Sequence, residues 1–199
     1  SLVKVDVGVH VDGYIADTAV TVCFSSEHEG MVQAAEAALE TAINTIRSGL
    51  STSQLGSEIQ RVIEHHGFKP VSNLTGHQVG RYTVHTGMSL PNIAHNSLTK
   101  IRVGDVYAIE PFVTVKEAEG RVENGPDAFI FRLAKRRFLK HAEARNLLEY
   151  VETRFRTLPF AERWLGGYGS GRQYKPALSE LLKSKCLKTY PVFLEASRR

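Results

Sequence analysis

The sequence predicts an α+β protein in which antiparallel strands are flanked by helices and followed by a further helical stretch. Three observations carry that expectation. The stretch KVDVGVHVDGYIADTAVTV, residues 4–22, alternates in character on either side of Asp12-Gly13. Two segments, from Ser25 to Gly49 and from Ser51 to Gly67, repeat apolar residues at helical spacing. Residues 71–115 are rich in β-formers and broken by glycines.

The first stretch reads as a β-hairpin, because Asp-Gly supplies the positive φ that a tight two-residue turn needs. With Asp12 and Gly13 at the tip, Asp6 falls opposite Ala19 and Asp17 opposite Gly8. Opposed residues share a face, and strand side chains alternate. Asp6, Gly8, Asp17 and Ala19 therefore point one way, and Val5, Val7, Val9, Val20 and Val22 the other. The valine face is expected to be core. The two carboxylates lie on a diagonal, roughly 7–8 Å apart at Cα, and two like charges so held favour a cation between them. A bound metal is the first hypothesis.

The next segment has a serine cap at Ser25 or Ser26 and apolar residues Met31, Ala35, Leu39, Ala42 and Ile46 at helical spacing. The helix after it buries Leu55, Ile59, Val62 and Ile63. His65 and His66 are adjacent on it and face different directions, so they are expected at the surface. Residues 71–87 read as irregular strand and loop, and VYAIEPFVTV (106–115) as a buried strand interrupted at Pro111. From Leu133 to about Ser184 the pattern is helical. The loop GGYGSGR (166–172) lacks the lysine and hydroxyl residue that follow in a phosphate-binding loop, so it is not taken as a nucleotide site.

Three further residues can join the aspartates. Glu110 stands among apolar neighbours, and a buried carboxylate needs a partner. His77 lies in the extended run, and His85 shares its face if that run stays extended. Three carboxylates with a histidine suit Mn²⁺, Fe²⁺, Co²⁺ or Zn²⁺ better than a thiolate zinc site does. Composition narrows the class further. At 199 residues and 42% hydrophobic content, the chain can bury a core. The two cysteines, Cys23 and Cys186, are far apart, which favours reduced thiols and a cytoplasmic setting. No apolar run reaches membrane-spanning length. The net charge is +4, with much of the excess in RLAKRRFLKH (132–141) and KPALSELLKSKCLK (175–188). Such a basic face suits weak contact with RNA or the ribosome, although a solvated helical surface is the plainer expectation.

The hairpin, the block NLTGHQVGRYTVHTG and the segment GDVYAIEPF together resemble type 2 methionine aminopeptidases, most of all the archaeal ones, and YVETRFRTLPFAERWL resembles their helical insert. The resemblance implies a pita-bread fold: a central catalytic part over residues 1–132, an insert over 133–191, and a return to the catalytic part over 192–199. It implies two divalent ions (Co, Mn, Fe or Zn), with Asp6 chelating one, Asp17 bridging both, and His77 and Glu110 holding the other. Glu110 would also serve as proton acceptor, His85 would contact the substrate, and Tyr190 would line a methionine pocket. The implied substrate is the initiator methionine of a nascent polypeptide followed by a small residue, cleaved by a cytoplasmic monomer. Proline-specific aminopeptidases share the fold, as do non-catalytic relatives that bind RNA or ribosomes. The family has a second bridging glutamate beyond the position of Arg199 and a substrate-contacting histidine ahead of Ser1. The chain therefore resembles the middle of an enzyme, and these 199 residues alone are expected to be inactive.

Overall fold

The computed structural model describes residues 1–168 and 174–196. Residues 169–173, which hold most of the glycine-rich loop, and 197–199 lie outside the described residues. The chain divides into two compact units, Ser1–Glu123 with the chain end from Glu195, and Asn124–Leu194.

The first unit opens with strands β1 (Leu2–Val11) and β2 (Tyr14–Cys23), paired antiparallel with Asp6 opposite Ala19 and Gly8 opposite Asp17. Asp12 and Gly13 both take positive φ, 50° and 86°. This is the primed turn that matches the twist of the flanking strands. Gly13 is required for space as well, since a Cβ there would meet the Tyr82 ring at 2.3 Å. Helix α1 (Glu29–Thr45) follows a short 3₁₀ turn at Ser26–His28, and α2 (Thr52–His65) follows a capping box in which Ser51 and Gln54 satisfy each other's backbone N–H. Strand β3 (Lys69–Pro70) pairs with β7 (Val113–Thr114). Strand β4 (Thr75–Val79) lies between β5 (Ser89–Pro91) and β6 (Val106–Ala108), antiparallel to both. The core gathers Ala38 and Ala42 of α1, Leu55, Ile59 and Ile63 of α2, and Leu50, Leu90 and Ile101.

Two expectations are corrected in this unit. The fully buried stripe of α1 is Ala34, Ala38 and Ala42; of the expected phase through Met31, Ala35, Leu39, Ala42 and Ile46, Ala42 is buried and Ile46 packs on the core, but Met31, Ala35 and Leu39 are only partly buried. Bulk suggested the second phase, but close helix packing selects the smallest side chains, and the larger ones flank the contact. The hairpin's valine face is exposed, with Val5 at 45%, Val9 at 58% and Val20 at 57%. Strand pairing leaves both faces of a two-stranded sheet open until another element covers one. Here it is the carboxylate face that meets the rest of the unit: Arg81 Nε donates to the Asp12 carbonyl at 2.8 Å, and Lys4 Nζ stands 4.5 Å from the centre of the Phe112 ring.

The second unit, which takes in all but the end residues of β8 (Val122–Leu133) and β10 (Leu187–Glu195), has β8 between β10 and β9 (Phe160–Ala161), with helices α3 (Ala142–Arg154) and α4 (Lys175–Lys183). Phe131, Leu147, Val151, Phe160, Leu165 and Leu181 form its core. Among the described residues from Leu133 onward, α-helix is confined to α3 and α4, and a 3₁₀ turn spans Glu162–Gly167. The basic stretch 132–141 leaves β8 as an irregular connection. The N–H groups of Ala134 and Lys135 both donate to the Cys186 carbonyl, at 2.8 and 3.3 Å, which commits that backbone away from helical bonding. Residues 134–138 are exposed, and the Arg136 guanidinium is held by Glu152.

Candidate metal centre

Three of the acidic and imidazole side chains singled out in the sequence converge within the first unit. Asp17 comes from β2, His77 from the middle of β4, and Glu110 from the segment just after β6. One ligand atom from each lies within 4.8 Å of the others. His77 Nε2 is 3.6 Å from Asp17 Oδ2 and 3.8 Å from Glu110 Oε2. These separations are too long for hydrogen bonds. Donors each about 2.1 Å from a shared ion, at angles from about 90° to 109°, stand about 3.0–3.4 Å apart, so the three side chains would draw together to hold a cation.

Local sequence accounts for the convergence. The primed turn fixes the register that turns Asp17 to the same face as Asp6. In the three-stranded sheet His77 pairs with Ser89 on one side and Ala108 on the other, which leaves Glu110 two residues past the ladder. Pro111 has no N–H with which to extend that ladder. Gly76 permits the close approach of the two segments: a Cβ there would sit 2.4 Å from the Ala108 carbonyl oxygen and 3.2 Å from the Glu110 nitrogen.

Electrostatics in the site favour a positive occupant. Burial raises the Glu110 carboxyl above its ordinary range, His77 offsets part of this, and the nearby Asp17 adds to it. Burial likewise raises Asp17, with His77 opposing and Asp6 reinforcing the shift. His77 is 6% exposed, and its Nδ1 is buried with no hydrogen-bond partner among the described residues. Two partly desolvated carboxyls around a buried imidazole form an oxygen-and-nitrogen donor set of the kind that holds divalent transition ions.

The other candidates fall in different places. Asp6 is on the same face of the hairpin as Asp17 but outside the three-residue group; its carboxylate is half-exposed and lies 3.4 Å from Lys4 Nζ. The His85 ring is exposed and stands 4.1 Å from the His77 ring, centre to centre. Tyr190 belongs to the second unit, on β10, where burial raises its hydroxyl and Arg132 opposes the shift. His65 and His66 are exposed at the end of α2. Lys4 and Gly76 were missed in the sequence. Lys4 holds Asp6 and lowers both Asp17 and Glu110, and its place two residues before Asp6, on the same face of the strand, could have signalled it. Gly76 reads in sequence as one more loop glycine.

The sequence pattern of Metallopeptidase family M24 matches residues 1–132, the span that holds all three converging side chains. The chain belongs to metallopeptidase family M24. This membership brings divalent metal use and the pita-bread fold. A methionine aminopeptidase of Methanocaldococcus jannaschii is 42% identical over 194 residues, covering 98% of this chain and 64% of the relative. Like the other archaeal relatives of that name, it exceeds this chain in length, and the chain spans about two thirds of the curated relatives it matches. Among solved structures, a methionine aminopeptidase of Thermotoga maritima superposes with a TM-score of 0.57 at 31% identity, covering 63% of this chain and 51% of that one. A thermophilic Arx1 superposes with a TM-score of 0.77 over 96% of this chain and 59% of its own; at 16% identity it speaks to the fold alone. Among the described residues of this M24 chain, no helix is long and apolar enough to cross a membrane.

Proposed function

We propose that this chain is the central part of a methionine aminopeptidase that removes the initiator methionine from nascent polypeptides, preferring a small second residue. The observation that carries the proposal is the convergence of Asp17, His77 and Glu110 within 4.8 Å. The archaeal relatives of that name support the choice of substrate.

In this reading two divalent ions (Co, Mn, Fe or Zn) would be held by Asp6 and Asp17 on one side and by Asp17, His77 and Glu110 on the other. When bound, such ions polarise the scissile carbonyl and supply hydroxide at neutral pH. The chain's own groups do the rest. Glu110, its carboxyl raised by burial, accepts a proton during attack and returns it to the leaving amine. His85, beside His77 and open to solvent, donates a hydrogen bond to the substrate carbonyl oxygen. The assignment of Tyr190 to a methionine pocket rests on the family resemblance alone. The setting is cytoplasmic and the protein a monomer, with the exposed basic connection 134–138 as the surface for any weak ribosome contact.

The test is hydrolysis of Met-Ala-Ser against an Xaa-Pro peptide, by the 199-residue chain and by a polypeptide of the relatives' full length. Chelator-sensitive methionine release by the longer polypeptide, abolished by Asp17→Asn, supports the proposal. Cleavage of Xaa-Pro in place of Met-Ala-Ser would assign it to the proline-specific enzymes. Turnover by the 199 residues at the rate of the longer polypeptide would show that the site is assigned to the wrong residues.

A further inference from the structure

We infer that Asn92 is a positioning residue for the metal centre: its side-chain amide ties the segment leading into His77 to the backbone of Glu110. This rests on the metal-site reading above. Asn92 is fully buried, and its Nδ2 donates to the Leu74 carbonyl at 3.1 Å and to the Glu110 carbonyl at 2.8 Å. Leu74 directly precedes β4, which carries His77 three residues later. The β4–β6 ladder ends at His77 and Ala108, and Pro111 can offer no N–H beyond it. One amide with two hydrogens bonds both carbonyls where the ladder has stopped.

Asn92 is itself held in place by α2. The Ala94 N–H donates to Gln60 Oε1 at 2.8 Å, and Ser53 Oγ donates to the His95 carbonyl. A Cβ at Gly56 would lie 2.4 Å from the Ile93 carbonyl oxygen and 2.8 Å from that of Pro91, so the helix backbone packs directly on this segment. The helix thus fixes Asn92, and Asn92 fixes the spacing of the Glu110 and His77 backbones. Partners of this indirect kind typically contribute about 10–100-fold to metal affinity.

The test replaces Asn92 by Leu, which keeps the approximate shape and removes both donors, and by Ser, which retains one donor should the leucine variant fail to fold. Two readouts are taken on folded, 199-residue protein: the Kd for Co²⁺ with its visible absorption spectrum, and, without metal, backbone amide chemical shifts and exchange at His77 and Glu110. The expected result is at least a tenfold weaker Kd with an altered Co²⁺ spectrum, faster exchange at both amides, and an intermediate effect for Asn92→Ser. A lower melting temperature with unchanged Kd, spectrum and exchange would reduce Asn92 to a packing role and overturn the inference. If the unaltered chain takes up no Co²⁺, the metal-site reading fails; the metal-free amide data then still decide whether Asn92 sets the His77–Glu110 spacing.

Discussion

Gly76→Ala adds one methyl group to β4 and, in this geometry, should disable the site without touching a ligand. The new Cβ would lie 2.4 Å from the Ala108 carbonyl oxygen, 3.3 Å from the Ile109 Cα and 3.2 Å from the Glu110 nitrogen. Ordinary non-bonded contact begins near about 3.5 Å, so β4 and the segment after β6 must part by about 1 Å. All three neighbours are backbone, and no rotamer change relieves the clash. Overpacking of this type destabilises by about 1–3 kcal/mol. At about 2–4 °C per kcal/mol for a chain of this size, the melting temperature should fall by about 2–12 °C. The same displacement opens the His77–Glu110 distance beyond its present 3.8 Å. Thermal unfolding followed by circular dichroism and Co²⁺ titration by calorimetry read the two effects separately, with affinity expected to fall at least tenfold. A variant that melts within about 1 °C of the parent and binds Co²⁺ equally well would refute the close approach on which the site is built.

Other expectations follow from particular residues. Burial raises Asp17 and Glu110 above their ordinary values of 3.8 and 4.5. The folded, metal-free chain therefore binds more protons than the unfolded one between those values and the raised ones, so its stability should fall as pH rises through that window. Asp17→Asn should flatten this slope, and denaturant melts across pH 4 to 8 that keep the full slope would count against a desolvated Asp17. In a polypeptide of the relatives' full length, Asp17→Asn should abolish methionine release while His65→Ala and His66→Ala stay within about twofold, as surface positions do; steady-state assay of equal losses at all three would mean that the site lies elsewhere. On the exposed hairpin face, Val9→Thr and Val11→Lys should each change the stability of the 199-residue chain by no more than about 0.5 kcal/mol, since these valines are 58% and 78% exposed. A loss of 2 kcal/mol or more in urea unfolding would place them in a core.

The sequence by itself determined whatever depends on neighbours along the chain. Asp12-Gly13 dictated the turn, the turn dictated the register, and the register set Asp6 and Asp17 on one face with period-two certainty. Apolar spacing through Leu55, Ile59, Val62 and Ile63 marked α2, and Gly67, with φ of 82°, marked its end. The convergence of His77 and Glu110 on Asp17 could be anticipated from residue type and family resemblance, but only the fold brings residues 60 and 33 positions apart to within 4 Å. The sequence had Ala42 of the buried stripe of α1, but the tertiary structure alone chose Ala34 and Ala38, because packing distance, not hydrophobic bulk, decides which face of a helix approaches its neighbour. It left the hairpin's valines open, because alternation marks a face as apolar without supplying what covers it. It also gave Gly76 and Asn92 their roles, since a clash across strands and a hydrogen bond to a carbonyl 18 residues away leave no periodic mark in the sequence.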